Sequence, residues 1–260
     1  MRVFAVLAIL LAAIVVVPAQ AATGTYMRLA HLSPDTPQVD VTVTSFEHPE
    51  ATLRVPGVGY GVLSDYQLIQ PGTYTIAMRP AGADPNSPPV ISASLSAAEG
   101  KAYTVAGLGK FAALALKVIE DDITLPPSGQ ARMRVVNAAP STGELKIVRG
   151  DAAVVDNAAF GSATPYTLVA AGVSGLKVTP KSGGPLDLPV TLEAGAVYSV
   201  LVLENQGRLS TVVRVDAKGA AVVPVGGMET GVGGMDVPWQ PFALCGLVVI
   251  AFLALRRRLA

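Results

Sequence analysis

The sequence predicts an all-β protein: two tandem Ig-like β-sandwich repeats, preceded by a signal peptide and followed by a transmembrane helix. Three observations predict it. Gly (26) and Pro (20) punctuate short runs rich in Val, Thr and Leu, which is the texture of strands and turns rather than helices. The strand–turn–strand opening from Met27 to Val43, MRLAHLSPDTPQVDVTV, returns from Met133 to Val148 as MRVVNAAPSTGELKIV. The apolar excess, 51% hydrophobic against 15% charged, sits largely in two terminal blocks unlike the middle of the chain.

The N-terminal block, residues 1–21, has one early positive charge at Arg2, an apolar run from Val3 to Val17, and Pro18-Ala19-Gln20-Ala21. Small residues in an A-x-A pattern after a short apolar core mark a secretory signal cleaved after Ala21. No Cys follows, so a lipid anchor is not expected there.

At the other end, residues 239–255 form an apolar stretch that runs to Leu255 and closes on the basic tail 256–260, with Arg256, Arg257 and Arg258. Counted from Val237 it approaches the ~20 residues a bilayer-spanning helix needs. Trp239 falls at the outer interface and the arginines stay inside. The preceding segment, residues 225–238, is glycine-rich and aperiodic, and reads as a flexible tether. A cell-wall sorting signal would place Leu-Pro-x-Thr-Gly ahead of the helix; only Thr230-Gly231 are present. The expected location is the cell membrane, single-pass, with the repeats outside and within reach of the cell wall.

With the ends set aside, charge and cysteine content exclude some classes. Four of the 19 Lys+Arg lie in the terminal blocks, whereas all 19 Asp+Glu lie between Asp35 and Asp236. The middle is therefore mildly acidic and lacks a nucleic-acid footprint. The single cysteine, Cys245, lies in the C-terminal block, so packing rather than disulfides must hold the repeats.

Repeat one, residues 22–127, contains strand-like runs at Tyr26–Leu32, Val39–Thr44, Ala51–Val55, Val62–Leu68, Gly72–Arg79, Val90–Leu95, Lys101–Gly107 and Ala113–Glu120. Turn residues separate them, among them Ser33-Pro34-Asp35, Pro56-Gly57 and Gln70-Pro71-Gly72. Repeat two, residues 128–224, matches it position by position: Tyr60 with Phe160, Tyr66 with Tyr166, Gly72 with Gly172, Tyr103 with Tyr198 and Leu114 with Leu209. Spacing changes only in loops, as expected where a core fixes the strands. The tyrosines fit core or corner positions, since an aromatic with a polar tip suits a sandwich edge. The short proline-bearing linker from Asp121 to Gln130 predicts two sandwiches set end to end with limited swing.

The run from Arg28 to Val41, RLAHLSPDTPQVDV, with the later Ile69-Gln70-Pro71-Gly72-Thr73-Tyr74, resembles the domain-of-unknown-function family DUF4397. The resemblance implies an exported bacterial surface protein with tandem copies and a C-terminal anchor, and it brings no catalytic residues. In the second copy Asn137, Ala139 and Ser141 replace His31, Ser33 and Asp35.

The candidate ligand-binding residues are His31, Ser33, Asp35 and Asp40, crowded into one strand and turn. A hydrolase would need a base beside a nucleophile with a carboxylate behind it, and no G-x-S-x-G elbow accompanies these residues. His31, Asp35 and Asp40, or Asp121 and Asp122 at the linker, offer oxygen and nitrogen ligands to Ca²⁺ or Zn²⁺, yet Ca²⁺ takes six or more oxygens. The leading expectation is a non-catalytic surface module, a stalk or an adhesive binder of an extracellular glycan, wall polymer or protein, with no cofactor or metal. The alternatives are a surface hydrolase using His31 and a metal-dependent adhesive module.

Overall fold

The computed structural model describes residues 24–182 and 184–219. The expected signal peptide, tether and transmembrane helix lie outside the described residues. Among the described residues no helix is long and apolar enough to cross a membrane.

The described chain is all-β. Nine strands come first: β1 (Thr25–Leu32), β2 (Val39–Ser45), β3 (Thr52–Val58), β4 (Val62–Leu63), β5 (Gln67–Ile69), β6 (Gly72–Pro80), β7 (Ile91–Ala97), β8 (Ala102–Leu108) and β9 (Ala115–Asp121). Nine more follow: β10 (Gln130–Asn137), β11 (Glu144–Arg149), β12 (Ala152–Ala159), β13 (Ser162–Ala163), β14 (Thr167–Ala170), β15 (Gly172–Pro180), β16 (Leu186–Leu192), β17 (Ala196–Asn205) and β18 (Arg208–Lys218). They form four sheets in one topology used twice. The five-stranded sheets run β4-β1-β8-β9 and β13-β10-β17-β18, with β5 and β14 also pairing β1 and β10; the four-stranded sheets run β3-β2-β6-β7 and β12-β11-β15-β16.

Within each half the two sheets pack through alternate residues. Met27 and Leu29 of β1 with Tyr103 and Val105 of β8 meet Val41, Val43, Ile76 and Met78 of the facing sheet. Met133, Val135, Tyr198 and Val200 do the same against Leu145, Ile147, Leu176 and Val178. An Ig-like sandwich is built from antiparallel sheets. Here β1 runs parallel to β8 and β10 parallel to β17 at the centre of each five-stranded sheet, a departure from the Ig-like expectation.

The expected Val62–Leu68 strand is interrupted. Ser64 turns out of the ladder, its N–H donating to Leu29 O at 2.9 Å and its Oγ accepting from Leu29 N at 3.0 Å. Thr164 does the same with Val135. The break sends Tyr66 and Tyr166 toward the opposite face of the sheet.

That opposite face overturns the end-to-end expectation. All eight residues of β1 are buried, which one sandwich core cannot account for. Ala30, Leu32, Ala106 and Leu108 of the first five-stranded sheet pack on Val136, Leu201 and Leu203 of the second and on Ala138 just past the end of β10. The halves lie face to face. Behind this apolar layer sits a buried ionic cluster. Arg28 Nη1 meets Asp216 Oδ1 at 2.7 Å, and Arg134 Nη2 meets Asp121 Oδ1 at 2.7 Å, so each arginine pairs across the junction. Each carboxylate's other oxygen accepts two hydroxyls from its own half: Tyr66 (2.6 Å) and Thr104 (2.5 Å) donate to Asp121, and Tyr166 (2.7 Å) and Ser199 (2.6 Å) to Asp216. The guanidinium carbons lie 4.3 Å from the Tyr66 centroid and 4.8 Å from that of Tyr166. Asp121, which local composition places at the start of a linker, ends β9 inside this clasp.

Burial opposes the charge on Arg28, and Asp216, Tyr66 and Asp121 outweigh it, so its pKa is raised. Arg134 is raised in the same way, against burial, chiefly by Asp121 and Tyr166. Burial, then the neighbouring carboxylate, holds both tyrosines protonated. Removing one member strands a buried charge, which costs about 3–5 kcal/mol. Arg28→Ala and Arg134→Ala should each lower the unfolding free energy by about that amount in denaturant titrations. Wild type should unfold in one transition, and the double variant should resolve into two.

Candidate binding groove at the turn pole

The strand registers place the chain's connections at two poles. Tyr26 pairs with Ala102, which pairs with Asp121; Arg132 pairs with Val197, which pairs with Ala217. The start of the first half, the crossing to the second and the end of β18 therefore share one pole. The turn after β1, the turn after β10 and the β8–β9 and β17–β18 loops share the other.

The residues singled out by the sequence sit at this second pole, largely as its scaffold. His31 faces its own sandwich, 2% exposed, with Nε2 3.3 Å from Pro37 O beneath the turn. Burial lowers its pKa, and Nδ1 has no partner among the described residues. Asn137 fills the same place in the second half: its amide donates to Gly143 O and Ala158 O, and its Oδ1 accepts from Ala139 N. Ser33 is fully buried, 2.6 Å from the Thr36 hydroxyl, in a turn where Thr36 N–H donates to Ser33 O. Asp40 stands apart on the first four-stranded sheet and accepts from Gly57 N (2.8 Å) and Gly82 N (2.9 Å), bonds that lower its pKa. The structure therefore brings His31, Ser33 and Asp35 to one turn but directs His31 and Ser33 inward, away from solvent.

Asp35 is exposed and ties the turn to the neighbouring loop, its Oδ1 accepting from Phe111 N at 2.8 Å. The second half makes the tie with reversed polarity. There the loop supplies the carboxylate, and Glu204 Oε2 accepts from Ser141 N at 2.9 Å. Position 109 of the first half, which corresponds to Glu204, is Gly109. Its φ is +104°, and a Cβ there would lie 2.7 Å from Ala113 O, so the loop can fold back only with glycine.

Between the two tied turns runs a groove of about 400 Å³. Pro34, Asp35 and Lys110 form one wall; Pro140, Glu204, Asn205 and Gln206 form the other. Tyr60 lies at the seam, donating to Ala138 O at 3.0 Å and accepting from Glu204 N at 2.9 Å. Of these residues the sequence points to Asp35 alone and misses Tyr60, Lys110 and Glu204. The available signal is Tyr60, whose correspondence with Phe160 favours a core position but leaves its hydroxyl without a counterpart in the second half.

Against known proteins, the geometry defines a two-sandwich all-β protein. Residues 25–148 match the family described as domain of unknown function DUF4397, a stretch that spans the first sandwich and runs into β11. The comparison with curated proteins finds no match. Among solved structures, the chain is similar to the carbohydrate-binding module CBMbc (family CBM26) of Eubacterium rectale Amy13K in complex with maltoheptaose, at 10% identity, covering 72% of this chain and 96% of that one, TM-score 0.25. It is also similar to the tip fimbrial protein Mfa3 of Porphyromonas gingivalis, at 10% identity over 74% and 99%, TM-score 0.26. A third similarity is to a fimbrial assembly protein of Parabacteroides distasonis, at 13% identity over 74% and 96%, TM-score 0.23. At these scores the likenesses carry no functional argument.

His31 gives the scaffold a pH signature. With its folded pKa below the ordinary value near 6.5, the unfolded chain takes up the proton first as pH falls. The stability His31 contributes is complete above about pH 6.5 and declines as pH drops through that value toward the folded pKa. In urea titrations between pH 8 and 5, His31→Asn, which copies the second half's Asn137, should flatten this decline.

Proposed function

We propose that this protein is a non-catalytic surface module: a rigid double sandwich, held to the cell membrane through residues 239–255, that serves as a stalk or an extracellular binder. The observation that carries the reading is the buried clasp, which joins the sandwiches into one body and fixes both turns at the pole opposite the end of β18. Such a body presents a constant surface away from its point of attachment. The inward-facing His31, bonded to backbone and closed to solvent, favours this reading over a hydrolase. The duplicated topology and the sequence correspondence from Tyr60–Phe160 to Leu114–Leu209 favour tandem copies of one domain, residues 22–127 and 128–224.

With the halves side by side, the pole that carries both turns is built from both.

Proteinase K treatment of intact cells should release a single fragment carrying both sandwiches, cut between residues 219 and 239. Complete protection of the protein would overturn the topology. Release of two separate sandwiches would contradict the rigid junction.

A further inference from the structure

We infer that the groove at the turn pole is a binding site for a neutral oligosaccharide; this rests on the reading of the protein as a surface binder. Its volume, about 400 Å³, falls within the usual range of about 300–1,000 Å³ for small-ligand sites. The chemistry of its walls selects the ligand class. Asp35 and Glu204 offer carboxylate acceptors, Lys110 an ammonium donor, and Asn205 and Gln206 amides that both donate and accept. Two carboxylates against one ammonium disfavour phosphorylated or uronic ligands. Among the described residues no group of three or more His, Cys, Asp or Glu comes together to hold a metal ion. The walls are turns, loops and the end of β17, which is paired with β18 and bonded through Glu204 N to Tyr60, so no open strand edge is offered to a peptide. Hydroxyl groups, which donate and accept at once, match this set.

The site is also preorganised. Backbone N–H groups hold one oxygen of Asp35 and one of Glu204, leaving the second oxygen of each free of partners among the described residues, and two hydrogen bonds fix Tyr60. Ordering costs at Asp35, Glu204 and Tyr60 are correspondingly small. The side chains of Lys110, Asn205 and Gln206 make no hydrogen bond or ion pair within the described residues and are available to a ligand. The rings of Pro34 and Pro140 line the groove and offer apolar surface against which sugar C–H groups can pack.

The test uses the full chain in detergent, titrated calorimetrically with hexasaccharides of neutral glucans, mannan, xylan and chitin, and with anionic oligogalacturonate. At least one neutral hexasaccharide should bind, and oligogalacturonate should bind at least tenfold more weakly. The variant Lys110→Ala/Asn205→Ala/Gln206→Gly should weaken binding at least tenfold with an unchanged unfolding midpoint. Its three side chains lack partners among the described residues, and Gln206 has a φ of +49° that glycine tolerates better. Glu204→Gln, which keeps an acceptor for Ser141 N, serves as a second variant and should weaken binding less. No neutral ligand, a preference for the anion, or unchanged affinity in the triple variant would overturn the proposal. Failed saccharide binding with intact protease release removes the groove assignment alone. Complete protease protection removes the surface reading, whatever the calorimetry shows.

Discussion

The structure depends on a pair of crossed ion pairs whose shortest contacts run between the halves, closer than the 3.7 Å from Arg28 Nε to Asp121 Oδ2 within the first. Arg28 and Asp121 belong to the first sandwich, Arg134 and Asp216 to the second, and the 2.7 Å contacts run Arg28 to Asp216 and Arg134 to Asp121. Desolvating four charges costs several kcal/mol each. The cluster offsets part of that cost: hydroxyls from Tyr66 and Thr104, or Tyr166 and Ser199, bond one oxygen of each carboxylate, and the other oxygen meets an arginine as an ion pair without a hydrogen bond. Arg28 Nε donates to Thr104 and Arg134 Nε to Ser199, so the hydroxyls link base to acid on each side. The net gain over an apolar junction is small by this reasoning, and what the cluster adds is specificity. An apolar face tolerates sliding; crossed charges in a dry layer accept one register.

The remaining cross-junction contacts obey that register. Each outer strand reaches over the edge of the opposite sheet: Lys117 of β9 donates to Gly161 O at 2.6 Å, and Arg214 of β18 donates to Leu63 O at 3.1 Å. The connection between the halves is strapped as well, Arg132 binding Asp122 and Thr124 O. Asp122 is accordingly held well below the usual carboxylate range, first by its hydrogen bond with Arg132. At the far end of the same sheets, Tyr60 spans the seam to Ala138 and Glu204. Clasp, edge contacts and seam together set the width of the groove, although no clasp residue lines it.

Strand content is legible in the sequence because it is local: alternation along Tyr74–Met78 and turn residues at Gln70-Pro71-Gly72 report their own backbone. The clasp is partly legible. Arg28 recurs as Arg134, Tyr66 as Tyr166, Thr104 as Ser199 and Asp121 as Asp216, charged and hydroxyl residues repeated at corresponding positions of the two halves. A charge on a strand with apolar neighbours on both faces needs an opposite charge brought to it by the fold, and that requirement is what the repeated residues signal. Asp121-Asp122 resembles a linker by local composition, which cannot distinguish a solvated acid from one facing a guanidinium brought from elsewhere in the chain. The groove is less legible still, because its walls come from positions that meet only through the junction.

The divergence between the halves at the turn pole has a different meaning in three dimensions. In the sequence, the loss of His31, Ser33 and Asp35 from the second half marks the first as the specialised copy. In the fold, His31 and Asn137 both seat the turn, and Asp35 and Glu204 both tie turn to loop, with donor and acceptor exchanged between the elements. Different letters therefore perform one scaffolding task. The divergence that changes the surface lies in the loops themselves: Lys110 leading into a folded-back 3₁₀ turn that starts at Phe111 on one side, Asn205 leading into the two-residue hairpin Gln206-Gly207 on the other. Two halves in contact through equivalent clasp residues can vary such loops without disturbing the junction. This separation of a fixed clasp from variable walls is what allows a scaffold with one topology used twice to carry an asymmetric site.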